Sequence, residues 1–458
     1  MSDAPSAPSG MVGLAPVQTT RARGAPLAFV LLAVLIVMLQ FGPAIGLIGF
    51  RLTGSTAFTL VGAARDGLVL ALVGLALGGM LASMHRWQSP ASVRWALLLV
   101  LVYAAFAWAS PEQPLLVALN LRRLALVPLL FMALLLLPWT RLELERLMAL
   151  VLVSSLVVAV LGLAERFSPD ALWTSVLDVG AFMSSNPLDP WGRLPFELSG
   201  RFFSWDLEAS TGLVFRRLVS TYLEPTTLAP TLALAMLLAL AARARHRAGL
   251  TATGLPAWAA ATPLLAPVFL VAGLLTLSKG FIVFLGLLML WRWFGVPQPR
   301  QVFLLAAAGI SLSLALGEAG FTEGPFSHMV GLTTAVHYLL DGHLLGEGLG
   351  AAGNYAIADT DVGTESGLGN GIAQIGLAAL LPLLWVRSIA LEAWRTGVAR
   401  RDPGGPWIAA WLLLWFLTYL LSASSLGVGG NALGFTVLAL YLHPAWEMEP
   451  GPTSGEAR

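Results

Sequence analysis

The stretch PLAFVLLAVLIVMLQFGPAIGLIGF, Pro26 to Phe50, carries no charged residue over its whole length, and that decides the fold class. A helix of ~20 apolar residues crosses a bilayer core of ~30 Å, and Pro256 to Leu277 repeats the pattern further along the chain. Hydrophobic residues make up 57% of the 458 and charged residues 11%, against about 25% charged in a soluble domain. So few charges cannot cover a water-soluble surface. The composition therefore indicates an all-α fold, a polytopic integral membrane helical bundle.

Hydropathy places spans near 26–49, 58–83, 95–109, 115–137, 147–165, 221–241, 257–277, 280–296, 300–317, 371–390, 407–424 and 429–445, about twelve transmembrane helices. Residues 1–25 are rich in Ser, Pro, Gly and Ala and read as a disordered cytoplasmic tail. Residues 26–446 form the transmembrane domain, and 447–458 a second cytoplasmic tail. The first span lacks a small-residue cleavage site and reads as a retained helix rather than a signal peptide. Starting from an inside N-terminus, Arg86, Arg94, Arg141, Arg146, Arg243, Arg245, Arg247, Arg292, Arg300, Arg387, Arg395, Arg400 and Arg401 all fall on one side. The positive-inside rule makes that side cytoplasmic; Arg51 is the exception. Two polar segments, about 166–218 and 318–370, then lie on the outer face, and a short amphipathic helix near Met329 to Leu340 lies within the second. Exposed polar chemistry is expected there, on loops held by a rigid scaffold.

The chain has no cysteine, which excludes disulfides and thiol chemistry, and a net charge of +1 argues against nucleic acid as a partner. Lys279, in LLTLSKGFIVFL (274–285), is the only lysine; the other basic residues are arginine. It falls at the outer boundary, between two spans joined by almost no loop. An interfacial lysine often snorkels to the headgroups, but Ser278 and Gly280 make a tight polar turn around this one, and a compact cation facing the bundle is a site candidate.

A second constellation, FRRLVSTYLEPTTLA (215–229), leads from the first outer segment into the sixth span. Arg216 and Arg217 set positive charge at the outer surface, where guanidinium groups suit bidentate phosphate binding. An aromatic-and-arginine interface belt is the plainer alternative, but a belt does not need the acid Glu224. In the third, Gly346 to Gly353 is no nucleotide fingerprint, since no strand precedes it; its glycines let the backbone turn tightly beside other elements. Thr364-Glu365-Ser366 follows, ahead of the tenth span, either as helix caps or with Glu365 as a functional carboxylate at a helix N-terminus. Arg122 and Arg123 at the outer end of the fourth span either add to an anion site or anchor that helix. Trp173, Trp191, Phe202, Phe203 and Trp205 offer faces to sugar rings or form an interfacial belt.

Arg217 eight residues before Pro225, the turn Thr276-Leu-Ser-Lys279, and a Gly-x-Gly segment leading to Glu365 together resemble the O-antigen ligase and polysaccharide polymerase superfamily, Wzy- and WaaL-like membrane glycosyltransferases of the C type. The likeness covers residues 215 to 385 by motif and the whole chain by helix count. Ser278-Lys279 stands where such proteins commonly show Ser-Arg, and Glu365-Ser366 where ligases commonly show His-Asn, which favours the polymerase branch. The resemblance implies a metal-independent enzyme without a cofactor in the bacterial cytoplasmic membrane, with its active site on the periplasmic face. It would extend a surface polysaccharide or exopolysaccharide by inverting transfer from a polyprenyl-pyrophosphate-linked donor to an acceptor sugar hydroxyl. Glu365 would be the catalytic base, with Asp361 and Glu224 as alternatives. Arg217, Lys279, Arg216 and Arg123 would bind pyrophosphate, supported by Arg122, Tyr222 and Ser278. The partners implied are the lipid-linked donor and acceptor, membrane lipids, a flippase and a chain-length regulator. The competing functions are a ligase acting on lipid A-core or protein, and a polytopic transporter.

Overall fold

The structure is a computed structural model that describes residues 25–54, 57–83, 89–185, 211–212, 215–249, 264–294, 327–352, 366–421 and 428–446, with isolated positions between 304 and 319. Over these residues the chain is helical, and no β-strand occurs among them. In order, the helices are α1 (Ala25–Thr53), α2 (Ala57–Ser83), α3 (Ala91–Ala109), α4 (Pro114–Leu136), α5 (Arg141–Arg166) and α6 (Val179–Ser184). They continue with α7 (Pro225–Arg247), α8 (Leu265–Leu275), α9 (Lys279–Phe294), α10 (Ser327–Leu340) and α11 (Gly367–Ile375). The last four are α12 (Leu381–Ala399), α13 (Gly405–Ala409), α14 (Trp411–Leu421) and α15 (Val428–Leu442).

Among the described residues, seven helical stretches are long and apolar enough to cross a membrane: those of α1, α2, α3, α4, α5 and α7, and the run Gly367–Ala399 that joins α11 to α12. Four other expected spans correspond to the shorter apolar helices Leu265–Leu275, Lys279–Met289, Gly405–Leu420 and Val428–Leu442. The one expected near 300–317, and both termini, lie largely or wholly outside the described residues.

Helix ends follow local chemistry. Thr140 and Glu143 form a capping box, which starts α5 at Arg141, earlier than hydropathy alone suggests. The sixth span is expected from 221, but α7 begins at Pro225. Proline suits the first helical position and forces its predecessor out of helical geometry, and Glu224 is accordingly extended, with φ −153°. Residues 220–222 form a separate 3-10 turn.

α7 is the central post, buried along most of its length, while α2 and α3 are largely exposed to their surroundings. Leu60 and Leu70 on α2, Leu101 on α3 and Val160 on α5 point outward, as lipid-facing side chains of a spanning bundle do. Small residues let elements close up: a Cβ on Gly434 would lie 2.1 Å from the Trp411 ring, the close approach that replaces a hydrophobic driving force inside a bilayer. A buried amide adds polar glue, with Gln40 Nε2 donating to Ser154 Oγ (2.6 Å) and Ser155 Oγ donating to Gln40 Oε1 (3.1 Å).

The bundle has two chemically different ends. One gathers Arg245 in a buried pair with Asp402, Arg400 donating to Tyr441 O (2.8 Å), and His443 Nε2 bonded to Leu137 O (3.0 Å). Glu392 accepts from Ser92 N there as well, so the start of α3 and the C-terminal halves of α7, α12 and α15 share this end. At the other end Ser110, between α3 and α4, donates to Leu349 O (2.9 Å), and Phe50 of α1 stacks edge-on with Phe182 of α6 at 5.7 Å. The loop 344–350 closes over α11 at this same end: Glu347 N and Gly348 N donate to Ala373 O and Gln374 O, at 2.9 and 3.0 Å. Gly348 has φ +112°, and a Cβ on it would lie 2.7 Å from Ser110 Oγ. The close-turning role expected of these glycines is observed at Gly346, Gly348 and Gly350, and Gly353 lies outside the described residues.

Candidate functional site

Residues 215–219, with the start of the 3-10 turn at Ser220, run as a thread between α5 and the α8–α9 turn. Leu218 N donates to Leu275 O (2.9 Å), and Arg217 Nε donates to Thr276 O (3.0 Å). The last carbonyls of a helix have no intrahelical partner, and this thread supplies partners at the end of α8. On its other edge, Ser220 Oγ donates to Val158 O of α5 (2.7 Å). Leu218 fills the space over Gly162, where a Cβ would lie 2.6 Å from Leu218 Cδ2. Thr221 Oγ1 then donates to Gln40 O (2.6 Å), and the buried Tyr222 hydroxyl shares a 2.8 Å bond with Thr231 Oγ1.

The α8–α9 turn is short and strained. Leu277 sits at φ +51°, a left-handed conformation uncommon for a branched side chain. Thr276 holds it on both sides, its Oγ1 donating to Gly273 O (2.6 Å) and accepting from Ser278 N (3.2 Å). The buried Ser278 offers its carbonyl to Phe281 N (3.1 Å) and Ile282 N (3.2 Å), which starts α9 with the exposed Lys279 as its first residue. A cation there opposes the helix dipole, an unfavourable placement by about 0.3–1 kcal/mol, so local helix stability does not explain this lysine. The two basic sequence motifs, far apart in the chain, thus meet through Arg217 and Thr276.

The other sequence candidates separate. Arg216 is half-buried in an ion-pair network, with Nη2 donating to Glu165 Oε1 (2.8 Å) and Nη1 to Asp170 Oδ1 (2.5 Å) and Ser168 O (2.7 Å). Arg122 pairs with Asp66 of α2, which anchors α4; Arg123 follows it, half-buried. Glu224 occupies the N-cap position of α7 without a side-chain cap to the backbone, and its carboxylate accepts from Thr226 Oγ1 (2.7 Å). Ser366 caps α11, as one alternative for that trio expected: its Oγ accepts from Gly369 N (2.9 Å) and donates to Leu420 O (2.6 Å). Glu365 and Asp361 lie outside the described residues, as do Trp191, Phe202, Phe203 and Trp205. Trp173 is buried against Leu47, Phe182 and Val219, so its ring is part of a core and offers no face to a sugar.

No protein-family model matches this chain, and no curated protein matches it. Arg217, Lys279 and the N-terminus of α9 concentrate positive potential at one end of the bundle, a setting suited to phosphate oxygens. Among the described residues no group of three or more His, Asp and Glu side chains is placed to hold a metal ion.

The residue of this site that sequence reasoning missed is Glu165. Its signal in the sequence is an acid in the final turn of a strongly apolar helix.

Proposed function

We propose that the chain is a membrane glycosyltransferase that polymerises lipid-linked oligosaccharide repeat units. The observation that carries this is the Arg217–Thr276 contact, which joins the Arg217 thread to the Ser278-Lys279 turn at the end opposite the arginine-rich cluster. In this reading the bundle has about twelve spans, the arginine-rich end is cytoplasmic, and the Arg217 end faces the periplasm of a bacterial cell.

The acceptor hydroxyl attacks the anomeric carbon while the bond from that carbon to the pyrophosphate oxygen breaks, inverting the centre. Charge develops on the departing pyrophosphate, and Arg217 and Lys279 stabilise it where a soluble enzyme would use a cation. Preorganised donors of this kind each contribute about 2.7–4 kcal/mol. Glu365 accepts the hydroxyl proton. A ligase would use the same donor chemistry with a different acceptor. The break at Gly376, φ +56° and ψ −134°, inside the Gly367–Ala399 run favours a transporter as the second reading, since discontinuous helices line many transport sites.

The test is a reconstituted assay with purified lipid-linked repeat unit, reading chain extension. Glu365→Gln should bind donor normally and lose about 10²–10⁴-fold in turnover. Wild-type extension by that variant removes the base, and solute uptake without glycan chemistry supports the transporter. Because the chain lacks cysteine, Gln113→Cys and Arg247→Cys can be labelled singly. Only the first should react with an impermeant reagent in intact cells; equal labelling overturns the topology.

A further inference from the structure

We infer that Glu165 is the positioning residue of this site, fixing the thread so that Arg217 is presented to a lipid-linked phosphate. The ligand's identity rests on the proposed function; the positioning does not.

Glu165 lies in the last turn of α5, with its side chain only 4% exposed. A carboxylate so buried is tolerated only when it is paired and hydrogen-bonded, and the partners it has found flank Arg217. Oε1 accepts from Arg216 Nη2 at 2.8 Å, while Oε2 accepts from the backbone N–H groups of Val219 (3.3 Å) and Ser220 (3.4 Å). One side chain thereby grips the residue before Arg217 and two residues after it.

The gripped segment does not adopt its conformation by preference. Ser220 has φ +50° and Leu223 φ +54°, and such backbone persists only when its surroundings over-determine it. Gly162 and Val158, one and two turns before Glu165, complete the α5 surface against which the thread lies. From the opposite edge, α8 takes Leu218 N and Arg217 Nε. Arg217 is therefore held in register from both sides, by Glu165 on α5 and by the end of α8.

The experiment uses the full chain in nanodiscs and a polyprenyl pyrophosphate as the probe, with Glu165→Gln, Glu165→Ala, Arg217→Ala and the Glu165→Gln/Arg217→Ala double variant. Glu165→Gln keeps an acceptor for the backbone amides and gives an informative variant where the alanine fails to fold. A misplacement of about 1 Å can lower function ~100-fold, so Glu165→Gln should weaken binding by about tenfold and Glu165→Ala by more. In the Arg217→Ala background Glu165→Gln should add less than about twofold, because coupled residues are non-additive. An equal loss in both backgrounds overturns the positioning role and leaves a general structural one. Amide hydrogen exchange at Val219 and Ser220 gives a readout independent of ligand: it should rise in both Glu165 variants. Unchanged exchange at both amides overturns the inference. Failure of wild-type protein to bind the probe, with exchange still raised in the variants, refutes the lipid-phosphate reading and leaves Glu165's grip on the thread standing.

Discussion

Arg245 and Arg216 are both arginines paired with buried carboxylates, one at each end of the bundle, and their surroundings differ in kind. Arg245 meets Asp402 through Nε at 2.7 Å and through Nη2, and Gly404 N donates to the same carboxylate at 2.8 Å. Burial pushes the Asp402 carboxyl up, but the hydrogen bonds and charge of Arg245, with the Gly404 amide, outweigh it and hold the group below its usual range. That pair closes on itself and fastens α7 to the α12–α13 turn. Arg216 instead shares Glu165 with backbone amides of a strained thread whose next residue, Arg217, leads to the Lys279 turn. At one end the pair fastens a helix to a turn; at the other it fixes the segment that carries Arg217.

The comparison breaks most readily at Arg245. Removing one partner of a buried pair typically costs about 3–5 kcal/mol, so Arg245→Ala should lower unfolding stability in detergent by that order while leaving activity per folded molecule unchanged. A matching loss of specific activity would erase the distinction between the ends.

Lys279→Ala should do the reverse, reducing chain extension by about 10²–10³-fold with normal insertion and melting behaviour. Lys279→Arg should retain part of the activity, since charge persists with a different donor geometry. Full activity in the alanine variant returns Lys279 to a headgroup-snorkelling role.

The smallest effect is a pH dependence confined to the fastened end. His443 is buried just after α15, with Nδ1 accepting from Ala445 N at 3.1 Å, and burial pushes its pKa down to about 4. The unfolded chain titrates near 6.5, so between these values it binds the extra proton and the folded state does not. Stability should therefore fall as pH drops from 6.5 toward 4, by up to about 3 kcal/mol. His443→Gln should flatten that slope; an unchanged slope assigns it to other groups.

The sequence made the helical class and most span positions legible because an uncharged run has few alternatives to crossing a bilayer. It also singled out Arg217 and Ser278-Lys279 through residue type and position, and the Arg217–Thr276 bond joins these two motifs. Thr140-Arg-Leu-Glu143 was a readable capping signal that hydropathy averages away. Three things were not legible. The pairing of Arg217 with Thr276 depends on a thread passing between two helices, which no local pattern encodes. Arg216 and Arg217 look equivalent in the chain, and the position of Glu165 on α5 separates them. The break at Gly376 sits in an apolar run whose composition fits an unbroken helix equally well, and it needs the contact of Leu377 N with Leu344 O, at 3.0 Å, to be seen.

If the Arg217–Lys279 end receives a lipid-linked pyrophosphate, the bound phosphates should be seen there. The most direct measurement is an experimental structure of the chain in nanodiscs with a polyprenyl pyrophosphate bound. The account predicts phosphate density within hydrogen-bond reach of the Arg217 guanidinium and of Lys279 Nζ, with Arg216 still paired to Glu165. Phosphate density at the Arg245–Arg400 end, or anywhere out of reach of both Arg217 and Lys279, would contradict it.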